Sequence, residues 1–145
     1  MGAMVNGGLV WGLRAVTTLH ALAVFAQAVL AGAFVSGDVA LVAWHDANST
    51  WLIGPLSIGQ LVLAIVLWQP GGGARWPTLA AVLLLGAEQL ERTFGYSRDL
   101  AVHIPLGTLV VGLALTAAIA GWLPSLRNRV TAEDTDDARD AGEAA

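Results

Sequence analysis

Apolar residues fill four long runs, near positions 9–35, 50–68, 76–95 and 100–123, and short polar stretches separate them. Each run is close to or longer than the roughly 20 residues an α-helix needs to cross a bilayer. None carries the polar outer face that a helix of a water-soluble bundle would show. The pattern predicts an all-α integral membrane four-helix bundle, with short connections making successive helices antiparallel neighbours. Five of the six tryptophans (Trp11, Trp51, Trp68, Trp76 and Trp122) fall at expected helix ends, as in the aromatic belt at a membrane–water boundary. The first run carries small residues at Ala31-Gly32-Ala33, but it is too long for a signal peptide and is read as a retained helix.

The pattern also repeats. Gly37, His45 and Gly54 recur as Gly95, His103 and Gly112 at a constant offset of 58 residues, and Ala23-Val24 recurs as Ala81-Val82. The expectation is two copies of one helical hairpin, which would set two imidazoles at equal depth on opposite sides of the interior. Two facing imidazoles are what a bis-histidine haem iron requires. The chain has only three histidines, so the recurrence carries weight that glycine and alanine matches alone would lack.

Composition narrows the class. Hydrophobic residues make up 56 % of the 145 positions and charged residues 12 %, against about 25 % charged in an ordinary soluble domain. Cysteine is absent, which excludes disulfides, thiol catalysis, iron–sulfur clusters and covalent c-type haem. Every basic side chain is arginine, which with the alanine, glycine and valine excess points to a GC-rich bacterial genome. The net charge of −4 resides mainly in the last fifteen residues, which hold six of the eleven acids and one arginine. The domain division is therefore a transmembrane unit over 1–126 and a disordered acidic tail over 127–145. Arg14, Arg75, Arg127 and Arg129 mark one side. By the positive-inside rule both termini are cytoplasmic, in a bacterial plasma membrane, and His45 and His103 lie toward the outer face.

Residues four positions after a histidine share its helical face. These are Ser49 after His45 and Gly107 after His103, small enough to leave room for a flat macrocycle. Leu52 and Leu56 would continue the first face and Val110 and Ala114 the second. Gly54 and Gly112 are assigned to helix packing. A lone boundary histidine is usually an interfacial polar residue. The symmetric pair favours haem b or a related haem over zinc or copper, since zinc would need further ligands and only Asp46 is near. Arg92 and Arg98 lie on the outer side against the charge rule. Either Glu91 and Asp99 neutralise them or they bind haem propionates.

His20 has no repeat partner, because Thr78 stands 58 residues later. It is read as a polar contact between helices, ahead of a quinone donor or an isolated buried histidine. Glu88 precedes Arg92 by four residues, the favourable order for an ion pair. It is also the candidate catalytic carboxylate, as an intramembrane acid. Ala28 with Gly32 and Ala117 with Gly121 are small-xxx-small pairs suited to close helix contact. Pro105 is expected in a first helical turn and Pro55 deeper, as a kink. Pro70 and Pro124 mark helix ends.

The stretches from Gln27-Ala-Val-Leu-Ala-Gly32 to His45, and from Gly95 to His103-Ile-Pro-Leu-Gly107, resemble one four-helix half of the heme A synthase family. The resemblance covers about residues 9–123. It implies that His45 and His103, at the outer ends of the second and fourth helices, ligate one haem. That family also carries a carboxylate shortly before a histidine. Here Val42 and Leu100 stand three residues before His45 and His103.

Three functions stay open at this point. One is a b-type cytochrome-like electron carrier whose partners are a quinone or an extracytoplasmic redox protein. Another is a haem-modifying enzyme. The third is a cofactor-free subunit of a homo-oligomer or larger membrane complex. Nucleotide-binding glycine patterns, paired-histidine zinc motifs, nucleophile elbows and basic nucleic-acid patches are absent from the sequence.

Overall fold

A computed structural model describes residues 7–123, and these fold entirely into helices and short turns. Helix α1 covers Gly7–Val35, α2 Leu41–Asn48, α3 Gly54–Trp68, α4 Trp76–Tyr96 and α5 Leu100–Trp122. A π-helical turn, Ser49–Ile53, joins α2 to α3 without a break, so the five helices form four rods. Each rod contacts two neighbours in a closed ring: α1 on α3, α3 on α4, α4 on α5, and α5 on α1. The expected tail at 127–145, together with Pro124, Arg127 and Arg129, lies outside the described residues.

Three rods, Gly7–Val35, Leu41–Trp68 and Leu100–Trp122, are long and apolar enough to cross a membrane. The fourth, α4, has the length but carries Glu88, Gln89, Glu91 and Arg92 in its second half. Large apolar side chains are exposed along the rods, among them Leu22, Phe25, Val29, Val62, Leu83, Leu109 and Ile119. Such surface is costly in water and favourable against lipid.

Small residues set the helix spacing. Gly12 lies against Leu63 and Gly59 against Val16, which lets α1 and α3 approach closely. Val10, Leu13, Ala64 and Leu67 fill the core at this end, where Trp11 and Trp122 also lie. A second core of Ala21, Val24, Ile53, Leu84, Val110, Ala114 and Ala118 occupies the middle.

Several expectations need correction. The second rod begins at Leu41 rather than near 50, so His45 is helical and Trp51 sits well inside the rod, not at its end. The residue at the histidine end is Trp44. The π-turn inserts extra backbone just before Pro55, whose missing N–H cannot continue the α ladder. It also rotates the following residues, so that Ile53 is buried where Leu52 was expected; Leu52 is exposed. Pro105 lies inside α5 rather than in its first turn.

The glycines of the repeat take different roles. Gly37, with φ 118°, closes α1 in a left-handed turn in which Asp38 N–H bonds to Ala33 O and Gly37 N–H to Phe34 O. The matching turn after α4 places Arg98, with φ 61°, at that position, while Gly95 stays within the helix. A Cβ on Gly54 would lie 3.6 Å from Arg92, whereas one on Gly112 would meet nothing within 4 Å.

Candidate functional site

At the tryptophan end α1 and α5 are clasped. Arg14 Nε donates to Gly121 O at 3.0 Å, and its guanidinium lies 5.4 Å and 5.3 Å from the Trp11 and Trp122 ring centres. Trp122 Nε1 donates to Thr18 Oγ1 at 3.2 Å. At the other end the two helices separate around a cavity of about 440 Å³, within the range typical of cofactor clefts. Its walls are largely aliphatic, from Val24, Val35, Ile53, Val110 and Val111. Ala28 and Gly32 line it, and a Cβ on Gly32 would meet nothing within 4 Å. The expected close contact through that pair is therefore absent; Ala117 and Gly121 are the pair at the clasped end.

His45 from α2 and His103 from α5 both face this cavity, with ring centres 6.4 Å apart and planes inclined at 73°. Two metal–nitrogen bonds of about 2 Å each, with about 1.2 Å from each nitrogen to its ring centre, require about 6.4 Å. The ring-centre distance equals that sum, with the ring planes inclined at 73°.

The tautomers are fixed from behind. His45 Nδ1 donates to Gln27 O at 3.1 Å, and His103 Nδ1 to Glu91 O at 3.0 Å. A carbonyl oxygen can only accept, so each Nδ1 carries a hydrogen, and in the neutral ring the lone pair belongs to Nε2. Histidine ligands to metals are typically held this way. The two differ in one respect: His103 Nδ1 also lies 2.9 Å from Glu91 Oε1, while His45 has only the neutral carbonyl.

Neighbouring side chains lock this arrangement. Asn48 Nδ2 donates to Ala23 O at 2.9 Å and to Gln27 Oε1 at 2.7 Å, tying α2 to the α1 segment that holds His45. Phe34 meets the His45 ring edge-on at 5.3 Å. Gly95 gives the His103 ring its place, since a Cβ there would stand 2.8 Å from Cε1. Tyr96 Oη donates to Asp46 Oδ1 at 2.8 Å, joining α4 to α2.

Six of the seven residues singled out from sequence line the one cavity: His45, His103, Ser49, Gly107, Arg92 and Glu88. Arg98 does not; it sits exposed in the α4–α5 turn. Gly107 also faces Glu91, 3.3 Å from where its Cβ would be. Arg92 is not paired with Glu88. Its guanidinium donates to Ser49 O at 2.8 Å, a carbonyl of the π-turn. Glu88 instead meets His20, Nε2 to Oε1 at 2.8 Å, and His20 Nδ1 donates to Gln60 Oε1 at 2.8 Å. His20 is accordingly an interhelical polar contact, joining α1, α3 and α4.

Sequence reasoning missed Gln60, Asn48 and the bond from Glu91 to His103. Only spacing hinted at Asn48, which follows His45 by three residues on the same face. Among the described residues no three His, Cys, Asp or Glu side chains gather as a metal site, so a protein-only tetrahedral zinc centre has no ligand set. Comparison with known proteins returned no matching family model, no curated relative and no similar solved structure.

Proposed function

We propose that the chain is a four-span membrane protein, two hairpins forming one bundle, that binds one haem b between His45 and His103 and carries electrons. The observation that carries this reading is the 6.4 Å ring separation with both Nδ1 atoms bonded from behind. The aliphatic walls suit a porphyrin's hydrophobic edge. Haem b held by His45 and His103 would supply one-electron transfer chemistry. The chain's own residues set the conditions. His45 and His103 orient the group, Ser49 and Gly107 leave space beside them, and the aliphatic walls exclude water. Arg92 holds a positive charge at the cavity wall, and Arg98 offers a second guanidinium from the exposed α4–α5 turn.

In this reading the histidine end faces outward from a bacterial plasma membrane, with both termini cytoplasmic. The electron partner is a quinone or an extracytoplasmic redox protein. Self-association or a larger complex would cover part of the exposed apolar surface. The test is the absorption spectrum of protein purified from haem-replete cells. A sharp Soret band that shifts on reduction is expected. Colourless protein would favour the cofactor-free subunit. Extraction of a modified haem would favour an enzyme similar to heme A synthase, a reading for which the cavity-lining carboxylate of Glu88 is the supporting observation.

A further inference from the structure

The second polar cluster lies deeper, away from the histidine pair. His20 and Glu88 are 1 % and 7 % exposed, with Nε2 and Oε1 2.8 Å apart. Since Gln60 Oε1 holds the Nδ1 hydrogen, the contact between Nε2 and Oε1 is attractive only with a further proton between them. Among the described residues neither Nε2 nor either Glu88 oxygen makes an aligned hydrogen bond to any other group, and Glu88 Oε2 has no partner. A buried carboxylate oxygen in that state costs free energy. Glu88 also lines the 440 Å³ cavity.

Access is one-sided. The void behind Gln60, lined by Thr17, Gln60 and Pro77, holds about 10 Å³, room for about one water. Glu88 borders the larger cavity with both carboxyl oxygens covered, so a proton from the histidine side would arrive by way of the groups that line it. The other charged or titratable groups around it are Arg92 and Glu91 on its own helix, His103 on α5 and His45 on α2, all lining the same space. Arg92 is engaged by Ser49 O and Glu91 by His103, which leaves Glu88 Oε2 as the unengaged acceptor.

We propose that Glu88, backed by His20 and Gln60, is a proton-binding site that takes up one proton from the histidine side when a haem held by His45 and His103 would be reduced by one electron. This rests on the haem reading above. An external one-electron donor supplies the electron, a hydronium ion loses its proton and leaves as water, and an O–H bond forms at Glu88 Oε2. No bond in the chain breaks. The incoming negative charge in a low-dielectric interior is thereby neutralised without a salt ion. Glu88 acts as a positioning and proton-holding residue, and it does not ligate the iron.

The experiment measures the midpoint potential against pH in lipid nanodiscs, by dithionite titration with mediators, recording the low-spin spectrum of each sample. Wild type should fall with pH over part of the range by up to about 59 mV per unit, the one-electron equivalent of a tenfold change in proton activity. Glu88→Gln should keep the low-spin spectrum and lose that slope, while Glu88→Asp should retain part of it. A low-spin wild type with a pH-independent potential, or an unchanged slope in Glu88→Gln, overturns the proposal and leaves the haem site standing. If no low-spin spectrum forms, the haem reading fails instead. Infrared spectra of the haem-free protein then decide the proton site. A carboxylic C=O band that grows on acidification and is missing from Glu88→Gln retains it, and no such band overturns it.

Discussion

The same two helices, α1 and α5, meet at one end and part at the other, and small residues are present at both. At the tryptophan end Gly121 lies against Thr17, where a Cβ would stand 3.6 Å from the hydroxyl, and Arg14 and Trp122 bridge the pair. At the histidine end Ala28, Ala31, Gly32 and Gly107 face a cavity instead. Small side chains thus permit close approach without enforcing it. At this end polar contacts tie each of the two helices to its other neighbour: Asn48 of α2 to Ala23 and Gln27 of α1, and His103 of α5 to Glu91 of α4. One end of the interface provides stability, and the other leaves room for a ligand.

The largest effect should come from the histidines themselves. His45→Ala or His103→Ala should abolish low-spin haem while His20→Ala retains it, as read by absorption spectroscopy. Loss of the signal in His20→Ala would show that the deep cluster, not the open end, holds the iron. Next, Glu91→Gln should weaken haem binding by about tenfold or more, the usual effect of removing a ligand's carboxylate partner. Haem titration into apoprotein measures this, and equal affinity would show that the backbone carbonyl alone suffices.

Matched glycine substitutions probe the two ends directly. Gly121→Leu should destabilise the fold by about 1–3 kcal/mol through overpacking. Gly32→Leu should leave apoprotein thermal stability near wild type yet block haem uptake. The reverse ranking in a melting assay would mean the open end is a packing surface. Asn48→Ala removes two buried hydrogen bonds and should cost about 1–3 kcal/mol, seen as a lower melting temperature together with broader haem spectra. Smallest is Arg98→Gly, which relieves a left-handed backbone and should stabilise by about 1 kcal/mol. If it also weakens haem binding, Arg98 touches a propionate.

Much of this was legible in the hydrophobic pattern. Apolar runs locate four rods, three of them long and apolar enough to cross a membrane, and α4 stands out because its charged residues border the interior cavity. His45 and His103 could be singled out because the chain has so few histidines. The repeat misled where it relied on glycine. Gly37 ends a helix and Gly95 seats an imidazole, two needs that select the same small residue for unrelated reasons. Local spacing also suggested Glu88 with Arg92, yet tertiary contacts gave Glu88 to His20 and Arg92 to the π-turn. Neither the π-turn nor its carbonyl acceptor leaves a mark in the sequence beyond Pro55.

The most direct measurement is low-temperature electron paramagnetic resonance of the oxidised, haem-loaded protein. One low-spin ferric signal of bis-imidazole type per chain, lost with either His45 or His103, is the expected result. A high-spin signal, or a low-spin signal that survives both substitutions, would contradict an iron held between these two rings.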